Sequence, residues 1–332
     1  MVIDLSTHKT MNQKIQIISK EEFSIISKPN DLKGLVNCSA RILFHCALIS
    51  MALYLVGHNH HILAVLVLIP HYIAWSFLGW SGLGHELFHK KVFTKKVVNI
   101  ILFRMLSVLS WSNYAYFETS HMVHHKDPLS EKDFEVMPQA RLTGWALIGS
   151  LIIDLGSAYR RVTIMVKNAF GVVPNGAAQK FFPQHSEART SLINGARVVL
   201  ISHFVFVLLS IYFDFTVLII FITIAPFVFT FPNRILSALQ HFNLKPNKES
   251  NLFSSIRTII VHPVIRFFYA GMNYHVEHHL FPTVPFYNLP VLHKRLIELG
   301  VLVNFEPSFW SGFRYLYANG YFQSSEGAKQ TL

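Results

Sequence analysis

The sequence predicts an all-α, polytopic membrane protein, because of its composition, the position of its charges and the length of its apolar blocks. Hydrophobic residues make up 52 % of the 332 residues and charged residues only 14 %, whereas roughly a quarter of the residues of a soluble domain are charged. No linker rich in Gly, Ser or Pro divides the sequence. We therefore expect one domain over residues 1–332, with a core at about 42–296, a polar N-terminal segment at 1–40 and a C-terminal tail at 297–332.

Two long blocks of the sequence carry almost no charge. Residues 42–84 contain no Lys, Arg, Asp or Glu, and residues 198–233 contain only Asp214. Each block is long enough for two membrane helices of about 20 residues, with turns near residues 57–61 and 213–215. The expected architecture is four transmembrane helices in two hairpins, with a helical cap on one side.

The basic residues predict the orientation of these spans. The formal net charge is +11, and neither predicted turn contains Lys or Arg. By the positive-inside rule, the N-terminal segment, the central region and the C-terminal region face the cytoplasm, so both termini are cytoplasmic. A basic chain also suits nucleic acid, but here the Lys and Arg flank apolar segments. We therefore expect a membrane setting and no nucleic-acid partner.

The central region, residues 90–197, contains two further apolar stretches, at 97–111 and 142–156. Arg104 interrupts the first and Asp154 the second. Both stretches are short for spans, which favours interfacial or cap helices.

Three histidine clusters lie beside these apolar segments. Residues four apart on a helix share a face, so histidines at this spacing can point at one metal ion. The clusters are His85 and His89; His121, His124 and His125; and His275, His278 and His279. A catalytic zinc ion uses about three protein ligands, so eight imidazoles indicate a pair of metal ions. Imidazole binds zinc, copper, iron and nickel, and the ligand type alone does not choose among them.

Several polar residues inside or beside the clusters are candidates for supporting the metal ligands. Carboxylates commonly orient metal-bound histidines, and Glu86, Asp127 and Glu277 are placed to do so. Asn273 is a candidate for holding a metal-bound water. The alternatives are solvated charges for the acids and a helix cap for the asparagine.

The three clusters, in this order, resemble the histidine boxes of the membrane fatty acid desaturase superfamily, most closely its bacterial acyl-lipid desaturases. The third box, within residues 273–282 (NYHVEHHLFP), and the segment 285–290 (PFYNLP) carry the likeness, which covers about residues 75–296. The resemblance implies two iron ions, O₂ as co-substrate and a lipid or acyl-chain substrate. It also implies a further histidine ligand, which falls on His241, and a separate electron donor of ferredoxin or cytochrome b5 type with its reductase.

Two details refine this expectation. No His-Pro-Gly-Gly motif is present, so we expect no fused haem domain, and no nucleotide cofactor either. Three residues, not four, separate His85 from His89, which favours acyl-lipid and sphingolipid desaturases or carotenoid ketolases over acyl-CoA enzymes. The expected location is the bacterial inner membrane, with the endoplasmic reticulum as the alternative.

Three other functions stay open at this point. The same di-iron site would serve a hydroxylase or ketolase of a lipid or carotenoid. A zinc-dependent membrane hydrolase would need fewer ligands, and a histidine-rich metal transporter would place its ligands inside the spans.

The remaining basic and histidine residues have simpler interpretations. Several basic residues are candidates for contacting an anionic head group, with attraction to the membrane surface as the alternative: Arg104, Arg141, Arg160, Arg161 and Lys167. His45, His71 and His203 fall in predicted spans, where we expect them to be neutral and hydrogen-bonded between helices.

Overall fold

The computed structural model describes residues 18–135, 141–173, 176–246, 252–301 and 305–323. Parts of the predicted N-terminal segment and C-terminal tail, at 1–17 and 324–332, lie outside the described residues. The regular structure is almost entirely helical, which confirms that part of the predicted fold class. The α-helices are α1 (Lys20–Ile26), α2 (Asp31–Gly57), α3 (His61–Trp75), α4 (Leu83–Phe88), α5 (Lys96–Leu109), α6 (Tyr114–Lys126), α7 (Gly144–Leu151), α8 (Leu155–Ala169), α9 (Gly176–Gln179), α10 (Glu187–Tyr212), α11 (Phe231–His241), α12 (Pro263–Phe268), α13 (His275–Leu280), α14 (Leu289–Glu298) and α15 (Phe309–Ala318).

Two short strands connect distant parts of the chain. Strands β1 (Thr258–Ile259) and β2 (Phe305–Glu306) pair in parallel, with Thr258 opposite Phe305. The pairing joins the segment that precedes the third histidine cluster to the start of the C-terminal region.

Helices α2 and α3 form the first predicted hairpin. Helix α2 begins where the Asn30 side chain accepts a hydrogen bond from the Lys33 N–H at 2.9 Å, and the chain turns at Asn59, whose φ is 64°. The turn lies where the sequence predicts it. Helix α2 has 27 residues and α3 has 15, so at 1.5 Å per residue α3 is shorter than the roughly 30 Å hydrocarbon core of a bilayer.

The second predicted hairpin is only half helical. Helix α10 ends beside the predicted turn at Asp214, whose φ is 59°. The returning chain forms a π-helix (Ile219–Thr223) and a 3₁₀-helix (Ala225–Phe227) instead of the fourth long α-helix that the sequence predicts. Pro226 lacks the N–H that a regular helix would need.

Side chains from other helices support this irregular segment. The Phe221 carbonyl lies 3.1 Å from His71 Nε2, and the Thr223 carbonyl accepts a hydrogen bond from Trp111 Nε1 at 3.0 Å. Irregular backbone is tolerated at membrane depth only where protein satisfies its polar groups. His203 Nε2 lies 2.9 Å from the Val108 carbonyl, so the predicted hydrogen bonding of His71 and His203 between helices is confirmed.

By length and composition, the described residues hold two helices that suit a membrane span, the stretch Lys20–Gly57 and Glu187–Tyr212. A third candidate is the pair Lys96–Leu109 and Tyr114–Lys126, which bends by 108° between its halves. Large apolar side chains on the long helices are exposed, such as Ile42 on α2 and Phe204 on α10. These faces fit contact with lipid.

The C-terminal region packs against the rest of the core. Leu316 on α15 is fully buried together with Leu239 on α11, and the Arg257 guanidinium lies 4.2 Å from the centre of the Tyr315 ring. Helix α15 therefore supports α11, the helix that ends at His241.

Candidate metal centre

A tight turn positions the first histidine box. The Leu83 N–H donates to the Phe77 carbonyl at 3.2 Å, and α4 begins directly after Gly82. An ideal Cβ at Gly82 would lie 1.9 Å from the Phe77 oxygen, so only glycine allows this approach. Helix α4 then places His85 in the interior, fully buried, and His89 partly buried at its end.

The second box lies on α6, which begins at Asn113. The Asn113 side chain accepts from the Ala115 N–H at 3.2 Å and donates to the Leu192 carbonyl on α10 at 2.9 Å. This cap fixes α6 against a long helix. The 108° bend between α5 and α6 turns the second box toward the other two.

The third box forms the short helix α13, all six residues of which are buried. Thr258 Oγ1 accepts from the Val276 N–H at 3.1 Å and donates to the Glu277 carboxylate. Strand β1 therefore holds the start of α13 in place.

The histidines of the three boxes meet in two adjacent groups. The first group has potential ligand nitrogens that all lie within 4.8 Å of one another, and its members are His85, His89, His121, His125 and His278. Within it, His89 Nε2 lies 3.0 Å from His121 Nε2, and His125 Nε2 lies 3.1 Å from His278 Nε2. Such facing nitrogens suit a shared metal ion.

The second group has three members whose potential ligand nitrogens also lie within 4.8 Å of one another: His124, His275 and His279. His241 lies beside them, with its Nε2 2.9 Å from His275 Nε2 and its ring centre 4.9 Å from that of His124. Its other nitrogen, Nδ1, lies 3.0 Å from the Ser255 carbonyl, which leaves Nε2 turned toward the group. The structure therefore brings all nine predicted ligands together as five and four.

The two boxes with three histidines contribute to both groups. In the second box, His121 and His125 join the five-histidine group and His124 the other. In the third box the division is reversed, since His275 and His279 join the smaller group and His278 the larger.

Unpaired nitrogens and burial both suit bound metal ions. Among the described residues, His85 Nε2 and both ring nitrogens of His279 are buried without a hydrogen-bond partner, and such orphaned groups call for an explanation. Burial lowers the pKa of His89 and of His241 to about 3 and that of His278 well below its usual value. These three imidazoles are therefore neutral at physiological pH, which is the form that binds metal.

Three carboxylates lie close to Nδ1 atoms of these histidines, on the side of each ring opposite Nε2. Glu86 Oε1 lies 3.1 Å from His85 Nδ1 and 3.4 Å from His278 Nδ1. Glu135 lies 3.0 Å from His121 Nδ1. These contacts leave the Nε2 atoms of the histidines free to face the centre.

The third carboxylate, Asp133, contacts His124. Its Oδ2 lies 2.8 Å from His124 Nδ1 and accepts from the Leu129 N–H at 2.9 Å. Burial alone would lower the pKa of His124, but the hydrogen bond to Asp133 and the charge of Glu135 outweigh it and raise the pKa. Burial raises the pKa of Glu135 to about 7. Bound cations would reverse that shift, because a nearby positive charge favours the carboxylate.

Of the four predicted supporting residues, Glu86 contacts the histidines and Asp127 does not. Helix α6 ends at Lys126, so Asp127 lies outside the helix, and among the described residues its carboxylate makes no hydrogen bond to a clustered histidine. Asp133 and Glu135 were not predicted. The available signal was the acidic composition of the loop after the second box.

Glu277 and Asn273 have other partners than the clustered histidines. The fully buried Glu277 pairs with His293 and Thr258, because it lies on the side of α13 that meets β1 and α14. Asn273 donates to the Ile259 carbonyl at 2.9 Å, while its Oδ1 is buried without a partner. Its predicted contact to a metal-bound water stays a prediction.

A cavity of about 1500 Å³ opens onto both groups of histidines. His85 and His121 line it from the first group, and His124, His241 and His275 line it from the second. Aromatic side chains, including Trp75 and Trp80, form part of its wall. Ligand pockets usually measure about 300–1,000 Å³, so this cavity has room for an extended molecule.

The fold and the site define a class of helical membrane protein with buried histidine groups that suit metal ions. The sequence profile of the fatty acid desaturase family matches residues 60–310, and the chain therefore belongs to that family. The resemblance of the histidine boxes to the desaturase superfamily is thus confirmed, and the chain is an oxidoreductase of lipid metabolism. The closer likeness to bacterial acyl-lipid desaturases stays a prediction. No curated protein sequence matches this chain.

Proposed function

We propose that the chain is a di-iron, O₂-dependent lipid desaturase that introduces a double bond into an acyl chain. The observation that carries this proposal is the meeting of nine histidines in two adjacent groups, in a chain of the desaturase family. In this assignment His85, His89, His121, His125 and His278 hold one iron ion. His124, His241, His275 and His279 hold the other.

The iron ions, when bound, supply the oxidising power that removes hydrogen from an unactivated C–H bond, with O₂ as co-substrate. The protein's own residues hold and orient the site. Glu86, Glu135 and Asp133 accept hydrogen bonds from the Nδ1–H groups of His85, His121 and His124, which fixes the direction of each Nε2 lone pair. The three carboxylates also offset part of the positive charge that two ferrous ions would bring.

The cavity positions the substrate. Its apolar walls, with Trp75 and Trp80 among them, favour an acyl chain and exclude water from the histidine groups. The position of the reacting carbon decides whether a second hydrogen is removed or oxygen is retained. Hydroxylation or ketolation of a lipid or carotenoid is therefore the alternative on the same site.

The number of histidines in the two groups is larger than a zinc-dependent hydrolase needs. A catalytic zinc site uses about three protein ligands and keeps one position open, whereas the described residues supply nine imidazoles. In the proposed reaction the electrons come from a separate protein of ferredoxin or cytochrome b5 type.

The proposed topology has four spans with both termini cytoplasmic, in a bacterial inner membrane. In it the segment around the π-helix completes the fourth crossing as irregular backbone packed against α3 and α10. Reporter fusions at Asn59 and at Asp214 should both give an external signal. A cytoplasmic signal at either position contradicts the four-span arrangement.

The reaction is tested by expressing the chain in a host of defined lipid composition and analysing total lipids by mass spectrometry with double-bond localisation. Wild-type protein should produce lipids that have lost two hydrogen atoms, and His121→Ala should not. His60→Ala is the matched control, because His60 is exposed at the turn between α2 and α3. Lipids that gain oxygen and no double bond would replace desaturation by hydroxylation or ketolation, and zinc alone in active protein would reject the iron assignment.

A further inference from the structure

Several arginine side chains line the same cavity as the histidines. Among the described residues, the arginines that line the cavity are Arg141, Arg160, Arg161 and Arg234. Arg160 and Arg161 follow each other on α8, and Arg234 lies near the start of α11. Of the five basic residues that the sequence singles out, Arg104 and Lys167 do not line the cavity.

The positive charge of this cluster is not balanced by neighbouring acids. The described carboxylates that line the cavity are Asp154, which pairs with Arg234, and Glu135, which contacts His121 at the histidine end. Arg160 makes no ion pair among the described residues. Arg161 donates to the Ser110 carbonyl at 2.9 Å and otherwise lies near the Phe227 ring.

Arg161 also has more positive than negative charge around it. Burial, together with the charges of Arg234 and Arg160, lowers its pKa to about 10. The side chain lines the cavity and is exposed. Its one hydrogen bond among the described residues is to the Ser110 carbonyl, so other N–H groups of the guanidinium remain for a ligand. A guanidinium without an acidic partner pairs best with a carboxylate or phosphate, which it can bind through two N–H groups.

The rim of the cavity is apolar and faces outward. Trp145 on α7 and Leu155 on α8 both line the cavity and are 86 % and 72 % exposed. Apolar side chains this exposed beside cationic ones are typical of a membrane interface, where the charged part of a lipid lies above its chain. The cavity therefore joins a cationic, interface-like end to the histidine groups.

We propose that Arg160 and Arg161, supported by Arg234, bind an anionic oxygen group of the substrate, a carboxylate or a phosphate, while its acyl chain extends along the cavity toward the histidines. This inference rests on the proposed function, because it defines the substrate class as an anionic lipid. The distance from the arginines to the reacting centre then sets which carbon of the chain is oxidised. Neutral lipids lack the group that these residues recognise.

The test measures binding without turnover, on purified, chelator-treated protein in phosphatidylcholine nanodiscs. Titration calorimetry compares palmitate with 1-hexadecanol, and dihexanoyl phosphatidylglycerol with dihexanoyl phosphatidylcholine. Wild-type protein should bind the charged member of at least one pair more tightly. Arg160→Gln should weaken that binding about tenfold, equivalent to about 1.4 kcal/mol, without changing the affinity for the neutral member.

Lys167→Gln is the matched control, because Lys167 is an exposed cation on the same helix α8 but outside the cavity. Arg161→Gln is a second variant in case Arg160→Gln does not fold. Iron content of the reloaded variants and a monodisperse elution profile show that each variant retains its fold. A loss in either arginine variant with Lys167→Gln unchanged supports the proposal.

The pair that shows this loss identifies the source of the anion: palmitate indicates a free fatty acid, and phosphatidylglycerol a phospholipid. Equal affinity for charged and neutral members in both pairs would overturn the proposal. Equal effects of Arg160→Gln and Lys167→Gln would also overturn it, since they would indicate general attraction to a surface. Because turnover is not measured, either result leaves the proposed desaturation to be decided by lipid analysis.

Discussion

At the scale of single residues, three carboxylates support the histidines of the candidate metal centre. Glu86, Asp133 and Glu135 each accept a hydrogen bond from the ring nitrogen that faces away from the metal position. This arrangement sets the tautomer of three imidazoles and limits their rotation. None of the three is a metal ligand in our assignment, so their removal should affect affinity more than the fold.

Asp133→Asn and Glu135→Gln should each lower iron affinity by about 10- to 100-fold, the usual effect of removing such a partner. Iron titration of the chelator-treated variants measures the effect. Asp127→Asn is the control, because Asp127 lies in the same region but outside α6 and, among the described residues, makes no hydrogen bond to a clustered histidine. Equal affinities for all three variants would show that the carboxylates do not support the ligands.

His241 is the ligand assignment with the least support from sequence, since no second histidine accompanies it in its segment. Its Nε2 lies 2.9 Å from His275 Nε2, and the Ser255 carbonyl holds its other nitrogen. His241→Ala should abolish turnover and lower iron content while the protein stays folded, since only one ligand is lost. Iron analysis and lipid analysis check this result, with His60→Ala as the exposed control. Full iron occupancy and near-normal activity in His241→Ala would exclude it as a ligand.

At the scale of elements, two short helices carry four of the nine clustered histidines. Helices α4 and α13 have six residues each, too few for an isolated helix to be stable in water. Their positions depend on the turns and strands that hold their first residues. The turn at Gly82 holds α4, and strand β1 holds α13 through Thr258.

Gly82→Ala tests the dependence of α4 on its turn. The added Cβ would lie 1.9 Å from the Phe77 oxygen, so α4 must shift, and we expect a destabilisation of roughly 1–3 kcal/mol with reduced iron content. Gly57→Ala is the control, because an added Cβ there has no atom within 4 Å. Thermal unfolding in detergent and iron analysis provide the measurements. Equal stability and iron content in the two variants would show that α4 does not need this turn.

At the scale of the whole molecule, a large set of neutral histidines lies in a buried centre. Burial lowers the pKa of eight of the nine clustered imidazoles, with His124 as the exception. The unfolded chain would have histidine pKa values of about 6.5. Below that pH the unfolded chain binds protons that the folded protein excludes, so acid favours unfolding.

Chelator-treated protein should therefore lose stability as the pH falls from 7.5 to 5.5. For His89 and His241, with folded pKa values of about 3, the loss is about 1 kcal/mol each by pH 5.5. Glu135, Glu86 and His124 oppose it, because the pKa of each is raised in the folded protein, and a raised pKa contributes stability at low pH that is lost as the pH rises. The eight histidines whose pKa is lowered outnumber these three groups. Thermal unfolding across this range measures the sum, and a stability that rises toward pH 5.5 would contradict the buried, neutral state of the centre.

The sequence by itself determined the helical class, the hairpin of α2 and α3 and the identity of eight of the nine histidines that meet. Each of these follows from local spacing: long apolar runs favour helices, and histidines three or four residues apart share a helix face. The three boxes also identified the family, since their residues and order are readable without a fold. His241 was the exception, because it was assigned from the resemblance and not from a spacing of its own.

Only the tertiary structure decided how the nine histidines divide into five and four. Residues 124 and 125 are neighbours in sequence, but successive side chains on a helix point about 100° apart, so which metal position each one faces depends on the packing of α6 against α4, α11 and α13. Tertiary contacts also decided the conformation of the segment after Asp214. Its apolar composition favours a helix, yet the chain forms a π-helix and a 3₁₀-helix there, because His71 and Trp111, more than 100 residues away, bond the carbonyls that a regular helix would use itself.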